Sequence, residues 1–282
     1  MFKDGVHIVD AEDSYTENFG KQWKKYNFVQ IDSKNNFNIS ENFLNKLLFN
    51  KPEILKDKTV LEIGCGAGRF TEHILKYAKL CVSVDFSSSI YFNIKKNNKK
   101  LILVKADFTK LQKNQKKFDV VICRGVLQHT PNPLSSIIKL YEFTDQNSKI
   151  YFDIYPRPKI GFLHPKYLIW RPFFKTFIKY ETLDKFLDRN IRLLLVIKRL
   201  IRKICFSDFI SDSLLPIWDY KNKINLNDIQ LQEWSKLDTL DGLYAEYDKP
   251  KSYKEIKKFL KENKIKIINS DNKENCFETD IN

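Results

Sequence analysis

Several features that define other protein classes are scarce or missing in this sequence of 282 residues. No apolar run approaches the ~20 residues that span a bilayer, and residues 1–13 lack the apolar region of a signal peptide. The cysteines are odd in number and form no C-x-x-C pair, and no histidine–carboxylate cluster has metal-ligand spacing. We therefore expect a soluble cytoplasmic protein with reduced thiols, no transmembrane segment and no metal. The cysteines are Cys65, Cys81, Cys123, Cys205 and Cys276.

Negative charge is scarce relative to positive charge. Lysine and arginine number 49 against 35 aspartates and glutamates, which gives a formal net charge of +14. Residues 156–205 contain 13 of the basic residues and only 3 acidic ones, so most of the excess comes from this segment. Such a segment suits phosphates, nucleic acid or a membrane surface. A solvated lysine-rich surface without a specific partner explains the composition equally well.

Glycine is also rare, yet three of the eight glycines fall within five residues. Gly64, Gly66 and Gly68 follow the apolar run 60–63, which is typical of a buried strand. Apolar residues then recur at helical spacing. Glycine allows positive φ and lets ligand atoms approach the backbone. The pattern of strand, glycine turn and helix therefore predicts a ligand-binding loop.

The glycine spacing favours a ligand without a pyrophosphate. The pattern is G-x-G-x-G, and Arg69 stands where a dinucleotide fingerprint has its third glycine. Glu62 precedes the first glycine by two positions, and its carboxylate would repel a pyrophosphate and attract a cation. Asp85, at the end of the next predicted strand, suits the two hydroxyls of a ribose. It could instead cap the following helix.

Three segments together resemble the class I S-adenosylmethionine-dependent methyltransferases. Residues 62–68 (EIGCGAG) resemble the first motif of that family, 105–108 (KADF) a later one, and 118–133 the fourth. The resemblance implies that Asp107 accepts from the adenine amino group and that Phe108 supplies a backbone amide and an apolar wall. It implies S-adenosylmethionine as cofactor. The predicted cofactor-binding residues are Glu62, Gly64, Cys65, Gly66, Gly68, Asp85, Phe86, Asp107, Phe108 and, through its backbone, Arg124.

The fourth motif also suggests a catalytic group. Many family members have two histidines where this chain has Gln128 and His129. His129 could orient a substrate hydroxyl or take its proton, because an unperturbed imidazole titrates near neutrality. It could also be structural, holding the loop by a hydrogen bond. Weaker candidates for the base are Asp153, Tyr155 and His164.

Alternating strand and helix patterns predict an α/β fold. We expect a Rossmann-like, seven-stranded, mostly parallel sheet with an antiparallel C-terminal hairpin, and a mainly helical insertion. The predicted domains are an N-terminal helical lid (1–51), the cofactor-binding core (52–155), a basic helical insertion (156–240), and a C-terminal helix and hairpin that complete the core (241–282).

The N-terminal lid is predicted from an aromatic stripe at helical spacing: Tyr15, Phe19, Trp23 and Tyr26. Residues 19–23 (FGKQW) resemble a segment upstream of the first motif in a bacterial subgroup of the family. Packing of this stripe against the core is the alternative.

The acceptor is predicted to be a small anionic or phosphorylated molecule, such as a sugar nucleotide, because basic and aromatic residues follow the fifth strand. The substrate residues expected are Trp23, Tyr155, Arg157 and Tyr247. An RNA methyltransferase and a non-catalytic cofactor-binding subunit are the alternatives, although nucleic acid is not the favoured partner. Contact with a membrane surface is compatible with the basic helices. The sequence does not determine the oligomeric state.

Overall fold

The computed structural model describes residues 1–10, 14–112 and 117–280. Within these ranges nine strands form one sheet. They are β1 (Phe2–Lys3), β2 (Val6–Ile8), β3 (Thr59–Ile63), β4 (Leu80–Asp85), β5 (Leu101–Lys105), β6 (Val120–Cys123), β7 (Lys149–Asp153), β8 (Lys266–Asp271) and β9 (Cys276–Asp280). Their spatial order is β1-β2-β5-β4-β3-β6-β7-β9-β8.

The sheet has the predicted Rossmann-like character. The six strands from β2 to β7 in the spatial order are parallel, and β9 and β8 follow as an antiparallel hairpin beside β7. The predicted fold class is confirmed. Two short strands, β1 and β2, extend the edge beside β5 and bring the number of strands from the expected seven to nine. These strands could not be predicted from sequence patterns because they are only two and three residues long.

Both faces of the central sheet are buried, as parallel sheets require. Successive side chains along a strand point to opposite faces. Leu61 and Ile63 of β3 therefore enter one apolar cluster, together with Val121 of β6. Val60 of β3 and Ile122 of β6 enter the cluster on the other face. Because side chains fill both faces of the sheet, we expect a ligand to bind at the edge where the strands end.

Ten α-helices lie in the described part of the chain. They are α1 (Glu17–Lys25), α2 (Asp32–Asn35), α3 (Ile39–Leu47), α4 (Thr71–Ile74), α5 (Pro133–Tyr141), α6 (Arg171–Phe177), α7 (Tyr180–Cys205), α8 (Asp208–Leu214), α9 (Asp228–Tyr244) and α10 (Tyr253–Glu262). Side-chain caps open α5 and α10. The Asn132 side chain accepts from the Ser135 amide, and Ser252 and Glu255 form a reciprocal capping box at α10.

The chain divides into two units. Unit 1 comprises residues 1–157 and 246–282, and unit 2 comprises residues 158–245. Unit 1 contains the sheet. The domain boundaries deduced from the sequence, including the N-terminal lid, stay predictions.

Unit 2 is helical and contains α6 to α9. Arg171 at the start of α6 is buried and donates to the carbonyl oxygens of Gly242 (2.7 Å) and Ala245 (2.5 Å) at the end of α9. These carbonyls lack helical partners, so the guanidinium satisfies them. A Cβ at Gly242 would overlap the Trp218 ring, which explains a glycine inside this helix.

Candidate functional site

The glycine loop after β3 turns sharply at its three glycines. Gly64, Gly66 and Gly68 have φ of +78°, +51° and +97°. A Cβ at Gly64 would overlap the Val126 side chain, and one at Gly68 would lie 2.8 Å from the Asn93 side chain. Packing therefore demands glycine at these two positions. At Gly66 a Cβ would be in ordinary contact with the Trp23 ring at 3.8 Å and the Ser89 hydroxyl at 4.0 Å, so packing does not demand glycine there.

Asp85, at the end of β4, is tied to the glycine loop. Its Oδ2 accepts from the Gly66 amide at 2.7 Å. Its Oδ1 accepts from the Ser87 amide at 2.8 Å and from the Ser87 hydroxyl at 2.7 Å. Burial raises the pKa of the Asp85 carboxyl, and these hydrogen bonds oppose the rise. The predicted ribose acceptor thus lies beside the central glycine.

Glu62 is buried within β3, just before the loop. Its Oε2 accepts from the hydroxyls of Ser83 (2.6 Å) and Thr71 (2.7 Å). Its Oε1 is buried and has no hydrogen-bond partner in residues 1–10, 14–112 and 117–280. Burial raises the pKa of Glu62 to about 7, although the two hydroxyls lower it. The site therefore contains a buried acceptor that a cationic or hydrogen-bonding ligand could satisfy.

Asp107, after β5, is surrounded by polar groups and aromatic rings. Its Oδ1 accepts from the amide (3.0 Å) and hydroxyl (2.6 Å) of Thr109. The Tyr15 hydroxyl is also hydrogen-bonded to this carboxylate, and burial together with Asp107 raises the pKa of Tyr15 well above its usual value. The Tyr15 ring packs edge-on against Phe86 at 5.3 Å and Tyr247 at 5.2 Å between centroids. These rings form an aromatic cluster beside Asp107.

His129 is held in one tautomer. Its Nδ1 lies 2.9 Å from the carbonyl oxygen of Tyr247. A carbonyl oxygen can only accept, so Nδ1 carries a proton, and in the neutral imidazole the lone pair is then on Nε2. The ring makes edge contacts with Phe19 (5.1 Å) and Tyr155 (5.7 Å). The structure thus presents an imidazole that can accept a proton, flanked by aromatic rings.

Some predicted site residues have their side chains engaged elsewhere. Arg124 forms ion pairs with Asp153 (3.2 Å) and Glu274 (3.1 Å), so its side chain is engaged, and the predicted backbone contact with a ligand stays a prediction. Arg157 donates to Glu255 at 2.7 Å, at the start of α10.

Two further predicted residues are buried in apolar surroundings. Phe108 is 5% exposed within a core cluster, which leaves little ring surface for a nucleobase. Cys65 is buried as well, and burial raises the pKa of its thiol, which makes it unreactive. The roles of these residues in ligand binding stay predictions.

The three weaker candidates for the base have surroundings that differ from those of His129. Asp153 pairs with Arg124 and accepts from the Gly125 amide at 2.6 Å, which indicates a structural role. Tyr155 is 42% exposed and contacts His129. His164 belongs to unit 2, where its Nδ1 accepts from the Lys166 amide at 3.2 Å.

Sequence reasoning missed two contacts of the site. Asp10 accepts from the Asp107 amide through Oδ2 at 2.7 Å, and β2 places it there by pairing with β5. The serines after Asp85 supply its hydroxyl donors. The run of serines at 87–89 was a visible signal, whereas no pattern pointed to Asp10, because strand pairing brings it from 97 residues away.

The residues present fit S-adenosylmethionine. Asp85 offers a carboxylate for hydroxyl groups, and Asp107 lies beside an aromatic cluster that suits a planar base. The Gly66 amide is bound to Asp85, and the Oε1 of Glu62 is a buried acceptor in the strand that leads into the loop. Lys110 lies 3.7 Å from the Asp107 carboxylate, so the charges at this strand end are mixed.

Comparison with known proteins finds a methyltransferase domain in this chain. The model of the methyltransferase domain family matches residues 61–152. The chain is similar to the ubiquinone biosynthesis O-methyltransferase of Coxiella burnetii, with 28% identity over 115 residues that cover 39% of this chain and 49% of the relative. It is also similar to the tRNA U34 carboxymethyltransferase of Sulfurimonas denitrificans, with 30% identity over 160 residues, 54% of this chain and 52% of the relative.

The chain spans about half the length of the curated relatives it matches. Among solved structures it is similar to the N-methyltransferase NodS of Bradyrhizobium japonicum in complex with S-adenosylhomocysteine. The TM-score is 0.40 at 17% identity, and the match covers 50% of this chain and 74% of that one.

Proposed function

We propose that this chain, whose residues 61–152 match the model of the methyltransferase domain family, is an S-adenosylmethionine-dependent methyltransferase that methylates a hydroxyl group of a small molecule. The observation that carries the choice of a hydroxyl is the tautomer of His129. Its Nδ1 is bound to the Tyr247 carbonyl, which leaves Nε2 as a proton acceptor. A hydroxyl must lose its proton during methyl transfer, whereas many other nucleophiles need no base.

The cofactor would be held by the strand ends of unit 1. We assign the ribose hydroxyls to Asp85, the adenine amino group to Asp107, and the methionine part to the loop of Gly64, Gly66 and Gly68. S-adenosylmethionine supplies an electrophilic methyl group on a sulfonium. The loop and the carboxylates fix its position, and such alignment of reacting groups is worth ~7–11 kcal/mol of the barrier.

The acceptor would lie against the aromatic side chains around His129. Phe19 and Tyr155 contact the imidazole, and Trp23 borders Gly66. Apolar rings around the base exclude water and favour an acceptor with an apolar or planar body. Tyr155 and Tyr247 keep their predicted roles as substrate residues in this proposal.

A phosphorylated acceptor has weaker support. Arg157, the predicted phosphate ligand, is paired with Glu255 at 2.7 Å and would have to leave that carboxylate. The name of the Coxiella burnetii relative refers to O-methylation, which agrees with a hydroxyl acceptor. The acceptor class is therefore proposed as a hydroxylated small molecule, with phosphorylated hydroxyl compounds as one subset to test.

The test is production of S-adenosylhomocysteine by the purified protein with panels of acceptors. One panel contains phenols and catechols, a second contains sugar nucleotides and phosphorylated alcohols, and a third contains amines. We expect turnover in a hydroxyl panel, and methyl transfer to oxygen by mass spectrometry. Turnover confined to amines would contradict the assignment of a hydroxyl acceptor.

RNA methylation is the second candidate. It is motivated by the basic segment 156–205 and by the tRNA-modifying relative. Phosphate contacts make affinity fall steeply with salt, with a slope set by the number of contacts. RNA binding that is weak and independent of salt would remove this candidate.

A further inference from the structure

The longest helix of unit 2 has an exposed apolar stripe in addition to its buried face. In α7 the buried face is formed by Leu183, Leu187, Ile191 and Leu195. A second set of apolar residues, spaced three, four or seven positions apart, is exposed on another side of the helix. Its members are Phe186, Leu193, Ile197, Leu200 and Ile204. At about 100° per residue these five positions fall within roughly 60° of arc, so they form one continuous stripe.

The stripe is extensive and is strongly exposed. Leu193 is 58% exposed and Ile204 is 75% exposed, and the stripe continues beyond the helix at Phe206, which is 93% exposed. With about 1.5 Å of rise per residue, the stripe from 186 to 204 is roughly 27 Å long. Isolated apolar residues on a surface are ordinary, but a continuous row of this length indicates a binding surface.

Basic side chains line one border of the stripe. Lys185, Arg189, Arg192 and Lys203 are all exposed, and helical geometry places them together beside the apolar row. None of the four forms an ion pair within the described residues. By contrast, Arg199 and Arg202 on the same helix are paired with Asp219 at 2.9 Å and 3.4 Å. The basic border is therefore available to a partner.

We propose that this stripe and its basic border bind an anionic lipid surface, with α7 lying in the plane of the membrane interface. Interfacial helices have two such features. Their apolar face enters the boundary of the acyl chains, and the cations beside it contact anionic headgroups. Spanning is excluded for the described helices, since none has the length and apolar character to cross a membrane. The inference does not depend on the proposed methyl transfer.

Two other occupants explain only half of the surface. RNA would use the basic border but would leave the apolar row exposed to water. A second copy of this chain would cover the apolar row, but a symmetric contact would leave the basic borders without anionic partners, and with antiparallel helices it would place them side by side, where like charges repel. Only an anionic amphiphilic surface complements both features.

The experiment is sedimentation of the full chain with vesicles of phosphatidylcholine alone and with 30% phosphatidylglycerol. Leu193→Gln with Leu200→Gln removes two apolar contacts, and we expect at least a tenfold loss of vesicle affinity. Arg189→Gln with Arg192→Gln should lose about fivefold per charge, and only on anionic vesicles. The matched controls are Ile229→Gln on α9 and Lys254→Gln with Lys261→Gln on α10, which should bind as the wild type does.

Each alternative gives a different result. Equal binding to neutral and anionic vesicles would overturn the role of the basic border. Loss of binding only in the arginine variant, together with tight binding to RNA, would identify RNA as the partner. A concentration-dependent dimer in sedimentation velocity that Leu193→Gln abolishes would identify a second copy. Absence of vesicle binding by the wild type would overturn the proposal, and unchanged thermal unfolding of the variants excludes misfolding as a cause.

Discussion

His129 is the residue on which the choice of acceptor depends. We predict that His129→Gln lowers kcat by about 10²- to 10⁴-fold, because the base that takes the hydroxyl proton is lost. Cofactor affinity should stay within about twofold, since none of the proposed cofactor contacts changes. Steady-state kinetics and calorimetry measure the two quantities.

The control for this variant is His7→Gln, an exposed histidine on β2. It should leave kcat unchanged. Full activity in His129→Gln would contradict the role of base and would leave the histidine a structural residue that holds the Tyr247 carbonyl.

Glu62 makes stability depend on pH. Its pKa is raised from 4.5 in the unfolded chain to about 7 in the folded protein, mainly by burial. Between these values the folded state keeps a proton that the unfolded state has lost, so stability falls as pH rises. Between pH 4.5 and pH 7.5, the unfolding free energy of the wild type should fall by about 3 kcal/mol more than that of Glu62→Gln.

Urea unfolding of both proteins across this pH range measures the difference. Glu53→Gln, which alters an exposed carboxylate, should run parallel to the wild type. If the unfolding free energy of Glu62→Gln changed with pH as that of the wild type does, the pKa of Glu62 in the folded protein would be ordinary. The buried carboxyl would then not be the cause of the pH dependence.

At the residue scale the sequence predicts the types of side chain better than their contacts. Asp85 and Asp107 were visible because Asp85 ends an apolar run and Asp107 comes shortly after another. The hydrogen bond from Tyr15 to Asp107 could not be predicted, because it joins the N-terminal segment to a strand end 92 residues later. Arg157 was assigned to the substrate by its charge and its position after the fifth strand, and its partner Glu255 is visible only in three dimensions.

At the element scale the glycine loop after β3 offers a direct test of packing. Gly64→Ala adds a Cβ that overlaps Val126 at a backbone φ of +78°. Positive φ costs about 1–2 kcal/mol for a residue with a side chain, and overpacking adds about 1–3 kcal/mol. We therefore predict a loss of about 2–5 kcal/mol in unfolding free energy, measured by denaturant.

Gly5→Ala separates the two causes. Gly5 has φ of +83°, but its Cβ would meet nothing closer than the Lys96 carbonyl oxygen at 4.0 Å. This control should show only the conformational cost. Equal losses in Gly5→Ala and Gly64→Ala would mean that the contact with Val126 has no energetic consequence.

The central strands could be predicted because their signal is local. Apolar runs bounded by charged or glycine-rich turns mark β3 to β7, and the structure has strands within each. The helix after the glycine loop was predicted from Phe70 to Ala78, but regular helix extends only over Thr71–Ile74. Apolar spacing there reflects burial of turns against the sheet as well as helix, and periodicity cannot separate the two.

For the whole molecule, fold and cofactor class were more accessible to sequence reasoning than the acceptor. The fold follows from alternation of strands and helices, and the cofactor class follows from glycines and carboxylates at strand ends. The proposed acceptor site depends on the His129 imidazole, the Phe19 and Tyr155 rings and the Tyr247 carbonyl, which come from distant parts of the chain. No local pattern encodes such a set.

The central claim is that the strand ends of unit 1 bind S-adenosylmethionine through Asp85. Isothermal calorimetry with S-adenosylhomocysteine on the wild type, Asp85→Ala and the control Asp271→Ala tests it most directly. We expect one site in the wild type and the control, and at least a hundredfold loss in Asp85→Ala, since hydrogen bonds to a charged group contribute about 1.5–3 kcal/mol each. Unchanged affinity for S-adenosylhomocysteine in Asp85→Ala would contradict the account. So would a wild type that does not bind S-adenosylhomocysteine but binds a dinucleotide.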